Sequence, residues 1–229
     1  MNISTILKNY RYLSLYKSIK FNLHYFGLKK GLKFPVLVSK NYSLHTLKGR
    51  VYMNNFTFKQ VLLGFGDVGI FDRKYDRGIW QNSGDIYFNG RCSLGHGSKI
   101  SNSGTLILGK NFINTAKCQI ICKKKVSFGD NVLVSWDSLI MDSDFHALLG
   151  GGEIVNINKE IMIGNHVWIG CRSVILKGVS ISDDCVIAAN TTVTKSFTDS
   201  AIMIGGVNEI LKSNIVWNAK DISGYNGFN

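Results

Sequence analysis

Proline is nearly missing from this chain: Pro35 is the only one among 229 residues. With 24 glycines present, its turns fall to Gly, Asn, Asp and Ser. Paired cysteines are missing too. Cys92, Cys118, Cys122, Cys171 and Cys185 are odd in number and form no C-x-x-C, which argues against a disulfide framework and a zinc site. They read as reduced packing residues of an intracellular protein. No run approaches the ~20 apolar residues of a membrane span, and no leader resembles a signal peptide. A cytoplasmic location is expected. A hydrophobic content of 45% excludes wholesale disorder.

Acid is absent from the first 66 residues. Before Asp67 stand eleven basic residues, so the rest of the chain holds sixteen of the 27 basic residues against all fifteen acidic ones. The net charge of +12 therefore sits almost wholly in the leader. Such an arm faces something anionic or is simply solvated. Nucleic acid is not expected as a partner, because the charge lies in one arm and no recognition motif accompanies it.

Against these absences stands one strong pattern. Ile163, Ile169, Ile175, Ile181, Ile187 and Val193 recur at every sixth residue. Six is neither the helical 3.6 nor a simple alternation. It is the repeat of a parallel β-helix, in which each unit forms one flat side of a coil and about 18 residues make a turn. Echoes of the unit begin at Asp85: LGHGSK (94–99), LGKNFI (108–113), FGDNVL (128–133) and IGNHVW (163–168). The phase slips by two residues near 88–94, 106–108 and 126–128, so some sides are longer. Asn114 falls at an inward or a corner position.

The expected organisation is a basic, partly helical segment over 1–50, an all-β coil over 51–205, and a short closing segment and tail over 206–229. Residues 3–20 carry apolar side chains at helical spacing, and FNLHYFGLKKGLKF after them is aromatic, basic and broken by glycine. Two readings of this leader stand. It packs over the open end of the coil, which must be covered, or residues 1–34 dock on an anionic membrane face. The two are compatible.

Ile140 and Ile163 are 23 residues apart, which is not a multiple of six. Residues 142–160 must therefore leave the prism as a loop, the usual place for binding residues. The loop carries Asp142, Asp144, His146 and the run Gly150 to Gly152. No histidine has metal-ligand spacing beside Cys or Glu, and no metal is expected.

The runs IGNHVWIGCRSVILKGVSI, VIAANTTVTKSF and IGGVNEILK resemble the hexapeptide-repeat acyltransferases. FGDNVLVSWDSLIMDSDFH resembles, more narrowly, the sugar O-acetyltransferases of capsule and surface-polysaccharide biosynthesis. The resemblance covers about residues 85–217. It implies a left-handed parallel β-helix. It also implies a homotrimer with active sites between subunits, acetyl-CoA as donor and a sugar hydroxyl as acceptor. Handedness rests on the resemblance alone, since parallel crossovers are ordinarily right-handed.

The resemblance also assigns residues. His146 matches the loop histidine that takes the acceptor proton. Asp144 and Asp142 precede it by two and four residues; in an extended loop all three point to one side, where one carboxylate would orient the imidazole. Trp168 matches the tryptophan near the thioester. Cys171 and Ala189, 18 residues apart, match positions facing the pantetheine arm. Thr194, Lys195 and Lys212 match the end of the donor groove, where basic groups meet the adenosine phosphates. Lys177 is a further donor-site candidate. Trp136 suits either a sugar face or the core. Lys123, Lys124 and Lys125 form a basic corner facing an anionic polysaccharide or solvent. Gly206-Val207-Asn208 stands where the family has Gly-x-Pro.

The expected function is acetyl-CoA-dependent O-acetylation of a sugar of a surface polysaccharide or its precursor, with the basic leader at the inner membrane face. N-acetylation of an amino sugar or nucleotide sugar is a second reading. A non-catalytic β-helix scaffold or binding protein is a third.

Overall fold

In a computed structural model the described residues are 11–66 and 68–218. The chain winds through three parallel sheets in turn. The first sheet runs from Val36–Val38 to Glu209–Lys212 in nine strands. The second runs from Tyr42–Leu47 to Thr192–Val193 in seven, and the third from Arg50–Met53 to Ser180–Ile181 in six. All pairings within them are parallel except the last, where Met203–Gly205 turns back into Glu209–Lys212. Each turn of the coil visits the three sheets once, which makes a three-sided prism.

The register explains the phase slips. In the first sheet Leu94 pairs with Asn114 and Asn114 with Val134, a rung of 20 residues each. Later Ile169 pairs with Ile187, a rung of 18. The two extra residues lie on the third sheet. There Ile86 and Phe88, Leu106 and Leu108, and Val126 and Phe128 all point inward and are buried. A strand with two inward residues instead of one lengthens its side by one alternation. The axis is filled by such side chains stacked rung on rung, among them Ile100, Ile120, Ile140, Ile175 and Val193. Asn114 is inward: it is fully buried, and its side-chain oxygen accepts from the Gly95 N–H at 2.6 Å and the Ser98 hydroxyl at 3.0 Å.

The corners use the residues expected in place of proline. Two columns of non-glycine residues have left-handed backbone. One runs Asn111, Asn131, His166, Asp184; the other runs Lys117, Asp137, Arg172, Asn190, Asn208. Asn and Asp visit this conformation at little cost because their short side chains bond locally.

The coil starts earlier than the expected boundary at 51. Its first turn is Val36–Val38, Tyr42–Leu47 and Arg50–Met53, so residue 51 falls inside that turn. Helix α1, Leu15–Gly31, covers the open end. It is kinked at Gly27, whose φ is +66°. The Asn22 side chain bonds both ways to the Val36 backbone, at 2.6 and 3.1 Å, and the Ser18 hydroxyl accepts from the Val38 N–H at 2.9 Å. These side chains satisfy an edge strand that would otherwise be bare. Phe21 is fully buried and meets Trp80 edge-on at 5.0 Å, plugging the end of the axis. Of the predicted helical stretch 3–20, residues 3–10 lie outside the described residues, and Leu15 to Lys20 are helical.

Candidate functional site

The loop leaves the prism after Leu139–Met141 and returns at Ile161–Ile163. Its far end is a hairpin, Leu149–Gly150 against Glu153–Ile154. Gly151 and Gly152 sit between them at φ +60° and +87°, the two positive values that a tight twisted hairpin turn requires.

Asp142, Asp144 and His146 do not share one side. Asp142 continues an inward column from Asn82 through Asn102 and Cys122, one rung apart, and is fully buried. Its carboxylate accepts from three backbone N–H groups, those of Lys123 at 2.7 Å and of Lys124 and Lys125 at 2.8 Å. Those bonds turn the corner at 123–125 and fix where the loop departs. The expectation that Asp142 presents its carboxylate to His146 is therefore corrected: the extended alternation of the strand carries it to the interior.

Asp144 faces outward, but toward a cation. One of its oxygens accepts from the Lys177 ammonium at 2.6 Å and from the Asn156 amide at 2.8 Å. The Lys177 bond first, and the Asn156 bond after it, hold the Asp144 carboxyl below the usual carboxylate range. Lys177, expected along the donor groove, is thus committed to the loop. It also donates to the Asn156 carbonyl at 2.8 Å.

Asn156 is the site residue that sequence reasoning missed. Its side chain reaches Asp144, donates to the His146 carbonyl at 2.8 Å, and accepts from the Leu148 N–H at 2.7 Å. One amide thereby ties the two halves of the loop together. No spacing marks it, because its partners lie eight to twelve residues upstream in an irregular segment.

His146 is exposed, and its backbone N–H bonds the Asp144 carbonyl at 2.7 Å across Phe145, whose φ is +63°. Among the described residues no carboxylate hydrogen-bonds the imidazole. The ring opens on a cleft of about 560 Å³ lined by Lys123, Ser143, Phe145, Asn156 and Asn158, among others. An imidazole of this kind, free to accept a proton beside a space large enough for a sugar ring, can act as a general base.

The donor-side residues lie elsewhere on the prism. Cys171 and Ala189 stack on adjacent rungs at the corner between the first and second sheets, linked through the Asn190 N–H to the Cys171 carbonyl at 2.8 Å. Cys171 is half-buried, while the other four thiols are buried. Burial pushes the Cys118 and Cys122 thiols up to about 12, which leaves them inert. Trp168 points outward from the first sheet, donates to the Ser135 hydroxyl at 3.0 Å, and packs against Trp217 at 6.0 Å. Trp217 also stacks on the His166 ring at 4.3 Å. The closing segment thus lies over the outer side of this sheet.

Thr194 and Lys195 are held by Asn208. Its side-chain oxygen accepts from both backbone N–H groups, at 2.8 and 3.3 Å, and its amide donates to the Thr194 hydroxyl at 2.7 Å. Asn208 has φ +60° and continues the second corner column. A proline cannot adopt that angle, so the departure from Gly-x-Pro comes with a different clamp for the same corner. Lys212 is exposed on the returning strand, opposite Met203. No hydrogen bond or ring contact joins these donor-side residues to the loop among the described residues. The structure brings together Asp144, His146 and Lys177 only. Nor do the described residues hold a group of three His, Cys, Asp or Glu fit for a metal ion.

Residues 160–195 match the family described as bacterial transferase hexapeptide (six repeats). That stretch carries the hexapeptide repeat of this family model. The chain is 36% identical over 101 residues to the galactoside O-acetyltransferase of Escherichia coli (strain K12), covering 43% of this chain and 49% of that one. It is 33% identical over 89 residues to the polysialic acid O-acetyltransferase of Neisseria meningitidis, covering 38% and 39%. The matches thus span less than half the length of these curated relatives. In three dimensions the chain is similar to the crystal structure of the polySia-specific acetyltransferase NeuO. The TM-score is 0.60 and the identity 19%, over 82% of this chain and 80% of that one. The fold is the left-handed parallel β-helix of hexapeptide repeats.

Proposed function

We propose that this protein transfers an acetyl group from acetyl-CoA to a sugar hydroxyl of a surface polysaccharide or its precursor. The observation that carries this reading is the exposed His146 imidazole beside a sugar-sized cleft, on a loop whose backbone at His146 is tied to the Asp144–Lys177–Asn156 cluster. The O-acetyltransferase relatives named above support it. His146 accepts the proton of the acceptor hydroxyl as its oxygen attacks the thioester carbonyl. The tetrahedral intermediate expels coenzyme A, and the imidazolium returns the proton to the departing thiolate. Asp144 acts through the loop as a positioning residue.

The donor lies along the corner of Cys171 and Ala189, past Trp168, with Thr194, Lys195 and Lys212 toward its phosphates. In this reading the site is completed between neighbouring copies of a trimer, the loop of one copy facing the donor-side residues of the next. Helix α1 and the turn after it present Leu15, Tyr16, Ile19, Leu28 and Leu32 outward beside Lys20, Lys29, Lys30 and Lys33. That mixed face suits contact with an anionic membrane surface. No helix among the described residues is long and apolar enough to cross a membrane.

The test is thiol release from acetyl-CoA against a panel of sugars and oligosaccharides. His146→Ala should slow turnover by at least ~100-fold while acetyl-CoA still binds normally. Near-normal turnover would remove His146 from the role, and activity confined to amino sugars would replace the hydroxyl acceptor.

A further inference from the structure

We propose that the cleft beside His146 selects an acceptor sugar bearing a carboxylate, with Lys123 as its counter-charge and Phe145 as the surface on which the sugar ring rests. The inference builds on the acetyl-transfer reading and names the substrate class of that site.

The basic corner 123–125 is not uniform. Lys125 meets Glu160 at 3.1 Å, and Lys124 faces the same carboxylate at 4.0 Å. Lys177, the other ammonium beside the loop, is bound to Asp144. Lys123 is left without a carboxylate partner among the described residues, and it is the one of the three that lines the cleft. Its main chain is nevertheless fixed, because the buried Asp142 carboxylate holds its N–H at 2.7 Å. The result is an anchored base with an available charge. Asp144 does not cancel it, since Lys177 already neutralises that carboxylate.

Phe145 supplies the second half of the subsite. It is the one non-glycine residue of the loop 142–160 with a positive φ, +63°, and it belongs to neither corner column. Left-handed backbone is unfavourable for a bulky aromatic residue, and such residues concentrate at functional sites. Packing does not account for it, because the side chain is 55% exposed. The bend directs the ring beneath the Lys123 ammonium, which stands 5.1 Å from the ring centroid. An aromatic face next to a cation matches a pyranose with one apolar face and one carboxylate: the ring stacks and the ammonium bonds the acid. His146, the next residue, lines the same cleft, within reach of a hydroxyl on that sugar.

The experiment uses the full chain with oligosialic acid and oligogalacturonate, each beside its carboxyl-reduced form, in the thiol-release assay. At least one acidic acceptor should exceed its reduced form in kcat/KM by about tenfold or more, the usual worth of a hydrogen bond to a charged group. Lys123→Gln should bring that ratio near one, Lys123→Arg should restore most of it, and Lys124→Gln should keep it. A wild-type preference for the reduced acceptors, or a ratio unchanged in Lys123→Gln, would overturn the proposal. Should no acceptor turn over, the acetyl-transfer reading fails, and calorimetric binding of the same four oligosaccharides decides the subsite separately. Binding of an acidic form that weakens about tenfold in Lys123→Gln sustains it; absent or unaltered binding ends it.

Discussion

The Lys177 ammonium stands 2.6 Å from the Asp144 carboxylate, 33 residues away in sequence. Lys177 belongs to the regular prism and Asp144 to the excursion that leaves it. This contact, reinforced by Asn156, pins the loop that carries His146 to a rigid face. It gives both residues a partner that spacing and resemblance do not suggest.

Lys177→Met separates the two assignments. Loss of the clasp should lower kcat about tenfold by loosening His146, with the acetyl-CoA KM little changed. A donor-site lysine would instead raise that KM and leave kcat alone. Steady-state kinetics with varied acetyl-CoA read the difference directly.

The clasp has a pH dependence of defined sign. The Asp144 carboxyl titrates below its ordinary value because its charged form is bonded to Lys177 and Asn156. Its contribution is therefore complete above the unfolded carboxylate value of about 4 and is lost as pH falls through the lower folded value. Hydrogen-exchange protection of residues 142–160, taken relative to the intrinsic rates, should hold down to about pH 4 and fall below it. Asp144→Asn should flatten that response.

Asp142→Ala tests the corrected position of that residue. Three backbone N–H groups would lose their buried charged acceptor, at a cost of about 3 kcal/mol or more. Denaturant melts should show the loss. Asp142→Asn should cost less, because it keeps one acceptor. An activity defect with unchanged stability would mean that the carboxylate serves the imidazole after all.

Asn208→Pro should destabilise the corner at Thr194 by about 3 kcal/mol, since φ must be positive there. Asn208→Gly keeps the angle but loses the side-chain clamp, so it should melt closer to the parent and still raise the acetyl-CoA KM. Thermal melts and kinetics together check both statements.

Phe21→Ala should cost about 3 kcal/mol or more by opening a cavity against Trp80. Deleting residues 1–34 would also strip Ser18 and Asn22 from the first strand, so it confuses membrane contact with folding. Reversing Lys20, Lys29, Lys30 and Lys33 to glutamate leaves that cap intact. Flotation with anionic vesicles at low salt should be lost in that variant and present in the parent. Absence in both would sink the membrane role.

Much of this molecule was legible in one dimension because its fold is nearly one-dimensional. Each rung contacts its neighbours, so a six-residue period states the side, the inward residue and the corner together. The departure of the loop was equally legible, as a break in that period. The inward place of Asn114, the sheet that takes up the phase slips and the clamp that Asn208 makes needed the structure, because each depends on which rung lies beside it. The site was less legible still. His146 was named by its match to the family's loop histidine, but the partners of Asp142, Asp144 and Lys177 are set only once the chain folds. Residue type alone determined that a base, carboxylates and lysines gather near one excursion from a prism. Only tertiary structure decided that one carboxylate turns inward to three backbone N–H groups and that another captures Lys177. Only it decided that Asn156 closes the loop and that Lys123 is left facing the cleft. The physical reason is that hydrogen bonds and charge pairs are settled by distance between groups, and in an irregular loop distance does not follow from spacing in sequence.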